Sequence, residues 1–191
     1  MDKLTNKVNP DLTKDTSKES SPNQLQLAVE QGREYLASVE EMTKNEAHDA
    51  DIKEIHDYLV GCAVEHAEGM YHWENGELVW KNPTENENAH VEIAVADAID
   101  GRFIPGLTVT VTITDSDGND VGTYQLPYLW HPWLYHYGSN VKVPGTGQYK
   151  IDVNFDPPTY MRHDKVHGKR HSKRVETDFM INIKTGRKIS D

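Results

Sequence analysis

The sequence predicts a mainly β protein, an antiparallel sandwich of immunoglobulin or cupredoxin type, preceded by a helical segment and a disordered tail. Three observations carry this. After Gly69, apolar and polar residues alternate with period two, the mark of half-buried strands. Turn sequences such as "DSDGN" and "PGTG" interrupt the alternation. Seven candidate strands fit within about 115 residues with few helical patterns among them, the density expected of a sandwich.

The first two dozen residues, "MDKLTNKVNPDLTKDTSKESSPNQ", are charged and polar with only scattered apolar positions, so residues 1–24 read as a disordered tail. They contain neither the apolar h-region of a secretory signal nor a cysteine for lipidation, and no export signal is expected from them. From Leu25 to Met42, apolar residues recur at Leu25, Val29, Leu36, Val39 and Met42, which predicts an amphipathic helix. Ile52, Ile55 and Leu59 continue a helical stripe, whereas "YLVGCAV" also fits a short buried strand. On that basis residues 25–57 are a helical extension and residues 58–191 the β-sandwich. Its predicted strands are "ELVW" (77–80), "HVEIAVA" (90–96), "LTVTVTIT" (107–114), "DVGTYQL" (120–126), "NVKV" (140–143), "QYKIDVNF" (148–155) and "VETDFMINI" (175–183). The segment 156–174 has neither period, and loops of that length are usually functional or disordered.

The composition excludes some functions. A net charge of -11 argues against binding the phosphate backbone of nucleic acid, and no run is long and apolar enough to span a membrane. The single cysteine, Cys62, excludes an intramolecular disulfide, and its apolar neighbours mark it as an inert buried thiol.

Ten histidines point elsewhere, seven of them after Glu68. His90 and Glu92 lie two apart on a predicted strand, so both side chains leave the same face, where they can share a metal or merely decorate a polar outer surface. The stretch "YLWHPWLYHYGSN" adds His131 and His136, and the 156–174 segment adds His163, His167 and His171. Converging imidazoles make a site for Cu, Zn, Fe or Mn. The same segment is also the one basic island of an acidic chain, which an anionic partner or an acidic neighbour within the fold would explain.

The pieces "HVE" opening a strand, "IPGLTVTVT" and "HYGSNVKV" resemble the extracytoplasmic iron-transport protein family that accompanies FTR-type iron permeases, over roughly residues 58 to 183. The resemblance implies a cupredoxin-like, often dimeric, extracytoplasmic sandwich that binds copper and iron through histidines, a methionine and carboxylates. Carried over by position, its ligands fall on His90, Glu92, His136 and His163. The family's methionine ligand falls on Leu129, and its acidic residue before "HYG" is replaced in the Trp133 region. Loss of the thioether leaves nitrogen and oxygen donors suited to Cu(II), Fe(II), Mn or Zn. His131, and after it Met70, are the candidate substitutes. Trp130, Trp133, Tyr135 and Tyr137 would then shield the metal, and Gly138 would permit a tight bend after His136.

The function expected is therefore a non-enzymatic metal-binding accessory of iron uptake, a homodimer as the resemblance implies, that presents its metal to a permease. Two alternatives stay open: a non-haem iron dioxygenase-like enzyme using Tyr124, Tyr128, Tyr135 or Tyr137, and a carbohydrate-binding sandwich that stacks sugars on "LWHPWLY".

Overall fold

In the computed structural model, which describes residues 3–190, the alternating segments form eleven strands after a single long helix. Helix α1 (Pro22–Glu41) begins where the sequence supplies a cap. The Ser21 side chain accepts from the Gln24 backbone, and the Gln24 side chain answers to the Ser21 backbone, satisfying two otherwise unpaired amides. The strands are β1 (Asp49–Ile55), β2 (Tyr58–Glu65), β3 (Met70–Glu74), β4 (Glu77–Lys81), β5 (Ala89–Asp97), β6 (Val109–Asp115), β7 (Asp120–Leu126), β8 (Tyr128–Trp130), β9 (Tyr135–Val141), β10 (Gly147–Phe155) and β11 (Val175–Ile183). They assemble into one sheet of order β1-β2-β5-β9-β8, a second of order β11-β10-β6-β7, and a separate two-stranded hairpin, β3-β4. All pairings between these strands are antiparallel.

The two larger sheets pack face to face. Val60, Cys62, Val91, Ile93, Val95 and Tyr137 from one meet Val111, Ile113, Ile151, Val153, Phe179 and Ile181 from the other. Cys62 is fully buried in this core, and burial pushes its thiol far above the ordinary range, so it is inert.

The outer face of the first sheet is covered as well. Leu59, Ala63, Ala94 and Ala96 pack against Leu25, Val29, Leu36, Val39 and Met42 of the N-terminal segment. Burial on both faces explains why β2 and β5 read as nearly unbroken apolar runs. The helix approaches closely enough to require a glycine. A Cβ on Gly32 would stand 1.6 Å from the Asp100 carbonyl oxygen.

Three expectations need correction. The tail is not disordered where it is described: two 3-10 turns, Leu4–Lys7 and Pro10–Lys14, bury Leu4, Val8 and Leu12 in the same cluster as α1. The three apolar residues looked scattered because they serve a short irregular segment without a helical period. Met1 and Asp2 lie outside the described residues. The helical extension also ends earlier than expected. After a π-helical turn at Met42–Glu46 the chain becomes β1, and Ile52 and Ile55 sit on a strand paired in full register with β2. Finally, "NVKV" only overlaps the end of β9, and β3 and β8 were not recognised as strands.

No helix among the described residues is long and apolar enough to cross a membrane.

Candidate metal centre

Alternation along β5 sends Val91, Ile93 and Val95 into the sandwich core, so His90 and Glu92 share the opposite face with Ala94 and Ala96. On β9, Tyr137 and Val141 enter the core, which leaves His136, Gly138 and Asn140 on that same outer face. The register sets Glu92 opposite Gly138 and His90 opposite Asn140. These residues therefore meet by the pairing of two strands, under the layer contributed by the N-terminal segment and the β8–β9 turn.

One ligand atom from each of His90, Glu92 and His136 lies within 4.8 Å of the others. Glu92 Oε1 is 3.2 Å from His136 Nε2 and 3.8 Å from His90 Nε2. Donor atoms bonded at about 2.0–2.2 Å to one ion lie ~3–4 Å apart, so a small inward shift closes this set around a metal. All three residues are buried, His90 completely. His90 Nε2, Glu92 Oε2 and His136 Nδ1 nevertheless have no hydrogen-bond partner, and the approach of Glu92 Oε1 to His136 Nε2 is not aligned as a hydrogen bond. Polar atoms so placed are costly unless something binds them.

Asn140 selects the tautomer of His90. Its carboxamide is oriented by two bonds to the Glu68 backbone, accepting from the amide at 3.1 Å and donating to the carbonyl at 2.8 Å. The same Oδ1 lies 3.0 Å from His90 Nδ1, so that nitrogen carries the proton and Nε2 presents a lone pair toward Glu92. Gly138 serves the site by being small, correcting the expected bend: it lies inside β9, and a Cβ there would stand 3.0 Å from His90 Nε2 and 3.1 Å from His136 Cδ2.

The electrostatics suit a cation. Burial, followed by repulsion from Glu65 and Glu68, raises the Glu92 carboxyl to about 8, with Lys188 partly offsetting the effect. Burial, reinforced by His90 and His131, lowers His136 to about 3. His90 is lowered too, chiefly by burial, although Glu68 and the Asn140 hydrogen bond oppose the shift. At neutral pH both imidazoles are consequently uncharged with lone pairs available, while Glu92 holds a proton that a metal would replace.

The other candidates fall elsewhere. His131 lies in the β8–β9 turn, its ring edge-on to Trp133 at 4.9 Å. With Trp133, Leu134, Glu92 and three further carboxylates it walls a cavity of about 130 Å³ beside the cluster, and its buried Nδ1 is unpartnered. Met70 opens β3, half-buried, two residues after Glu68, and the Glu68 carboxylate lies 3.9 Å from His90 Nε2. His163 is not brought to the cluster within the chain. It is exposed in the 156–174 segment, and that segment is tied to Asp97, at the end of β5 remote from His90. This segment is an ordered loop. Arg162 donates to the carbonyls of Pro158, Gly168, Arg170 and His171, while Arg170 bridges Asp97 and Asp100. Acidic neighbours within the fold thus answer part of the basic island: Arg170 meets Asp97 and Asp100, and Arg174 meets Asp156 and Glu176. His167 pairs with Asp15 and Asp164, and His171 Nε2 lies 2.9 Å from Asp97.

Nor do the aromatic residues form the expected shell. Trp130 is 68% exposed and Tyr137 points into the core, where its hydroxyl donates to the Ile104 carbonyl; only Trp133 of the four lines the cavity beside the cluster. Strand alternation separates Tyr137 from His136. The hydroxyl of Tyr124 is likewise committed, to the Lys142 carbonyl. Sequence reasoning missed Asn140, Glu65, Glu68 and Lys188. Asn140 was legible only as part of "HYGSNVKV", and the other three carry no local pattern.

Comparison with known proteins bears on this arrangement. Residues 58–183 match the family described as Fe2+ transport protein. No curated protein matches the sequence. Among solved structures, FetP of uropathogenic E. coli strain F11 is similar at 21% identity and a TM-score of 0.59, covering 71% of this chain and 93% of that one. A copper-bound FetP variant gives 20% identity and the same TM-score, covering 70% and 95%. A copper-bound variant of Campylobacter jejuni P19 is similar at 16% identity and a TM-score of 0.59, covering 72% and 96%. These likenesses establish a shared fold.

Proposed function

The chain belongs to the Fe2+ transport protein family, and from that premise we propose that it is an accessory of iron uptake that binds a transition-metal ion at His90, Glu92 and His136. The observation that carries the reading is the set of buried, unpartnered donor atoms on His90, Glu92 and His136. Two nitrogens and an oxygen suit Cu2+ or Fe2+, and would also take Mn or Zn. Copper is the first ion to test, since related folds hold it. His131 is the candidate fourth ligand, reaching in from the cavity wall.

In this reading the metal is cargo. The protein works outside the cytoplasm and hands the ion to an FTR-type iron permease, as its family resemblance implies. It does so as a homodimer, for which the β3-β4 hairpin offers a surface. Register places Tyr71 opposite Trp80 and Trp73 opposite Leu78, so four large exposed apolar side chains share one face.

Competition titration with Cu2+ against a chelator of known affinity, on the parent and on His136→Ala, tests the site. Loss of a ligand should weaken binding on the order of 100-fold or more, given that losses outside the ligand shell already reach 10–100-fold. Equal affinities on folded protein would remove His136 from the site, and no binding by the parent would end the proposal.

A further inference from the structure

The cavity beside the metal centre already contains a cation supplied by the chain. Glu65 ends β2 directly opposite His90 in register, and Glu68 follows it over the mouth of the site. With Glu46 and Glu92 they line the cavity of about 130 Å³, into which Lys188 also projects. The Lys188 ammonium pairs closely with Glu65 and lies 3.6 Å from Glu68 Oε2. Glu92 Oε2, in a residue only 5% exposed, lines the same cavity and has no partner.

The segment that delivers Lys188 is held in place. The Lys188 amide donates to the Ala67 carbonyl at 2.7 Å, the Ala67 amide to Gly186 at 3.0 Å, and the Ser190 amide to Asn82 Oδ1 at 3.1 Å. It lies beyond residues 58–183, the part that matches the family. The side chain itself is half exposed, so it can swing out without disturbing the core.

We propose that Lys188 is a tethered counter-cation closing the mouth of the metal centre, and that an entering divalent cation displaces it from Glu65 and Glu68 on the way to His90, Glu92 and His136. This rests on the metal-binding reading above. Two carboxylates facing one cavity repel each other unless a cation lies between them, and the lysine fills that role without occupying the imidazole ligands. A divalent ion carries twice its charge and binds carboxylate oxygen directly, so it outcompetes the ammonium once it arrives. Lys188 therefore sets the rate of entry and the preference for divalent over monovalent cations, while the ligands set the final affinity.

Stopped-flow quenching of tryptophan fluorescence by Cu2+ tests this on the full chain. Lys188→Gln should raise the association rate on the order of 10-fold at low salt, and Glu65→Gln should slow it. Lys165→Gln is the control, because it removes the same charge from an exposed position in the 156–174 loop, which docks at the end of β5 remote from His90 and does not line the cavity. Its rate should stay within about twofold of the parent, since a distant exposed charge is screened. Equal acceleration by the two lysine variants, or none by Lys188→Gln, would overturn the displacement model while leaving the metal centre intact. A parent protein that binds no Cu2+ would overturn both.

Discussion

Metal binding should release a proton from Glu92, and the amount follows from its environment. In the metal-free protein, burial and the neighbouring Glu65 and Glu68 carboxylates raise the Glu92 carboxyl to about 8, whereas the metal-bound carboxylate must be ionised. At pH 7 roughly 0.9 proton should leave per ion bound, falling to about 0.5 at pH 8 and ~0.1 at pH 9. Affinity accordingly rises about tenfold per pH unit below 8 and levels off above it. The histidines add little to this slope, because His136 at about 3 and the lowered His90 are already deprotonated across the range. Calorimetric titration with Cu2+ in two buffers of different ionisation enthalpy counts the protons directly. Glu92→Gln should bring the count at pH 7 close to zero. The same raised pKa has a consequence for the metal-free fold: stability present below the carboxyl's ordinary value is lost as pH rises toward 8, at up to roughly 1.4 kcal/mol per unit. A proton count near zero for the parent at pH 7, with affinity flat between pH 6 and 8, would refute the assignment of a protonated Glu92 at the site.

The remaining predictions concern elements that the metal does not touch. Asp97 is buried, which opposes its ionisation, but His171, Arg170 and the Asp100 amide outweigh burial and lower its carboxyl to about 2. It therefore contributes stability that is complete above the ordinary aspartate value of 3.8 and lost as pH falls toward 2, worth about 2 kcal/mol. His171→Ala should shift the acid unfolding midpoint upward while leaving Cu2+ affinity at the parental value, and a weakened Cu2+ affinity would contradict the separation of loop from site. Leu12→Ala should cost about 2 kcal/mol in chemical denaturation, because Leu12 is 3% exposed in the cluster that α1 forms with the sheet. An unchanged midpoint would show that the N-terminal turns contribute nothing to stability.

What the sequence determined alone was local. Period-two alternation and turn residues are properties of neighbouring positions, so β4, β5, β6, β7, β10 and β11 were legible, as was α1 from its 3.6-residue stripe. The pairing of His90 with Glu92 on one face was legible for the same reason. Motif resemblance added His136, since "HYGSNVKV" carries the histidine together with the glycine and asparagine that serve it. The tertiary structure decided everything that depends on which segments meet. The outer face bearing His90 and Glu92 is buried because the N-terminal segment, the β8–β9 turn and the segment after β11 fold over it, and a covered sheet face cannot be told from an exposed one in a single strand. His163 shares the residue type of a ligand, but the docking of its loop through Arg170 and His171 onto Asp97 sends it away from His90. Lys188 lies far along the chain from Glu65 and reaches it only because the segment after β11 hydrogen-bonds alongside Ala67. Convergence of this kind is set by strand register and by long-range packing, and a linear spacing contains neither.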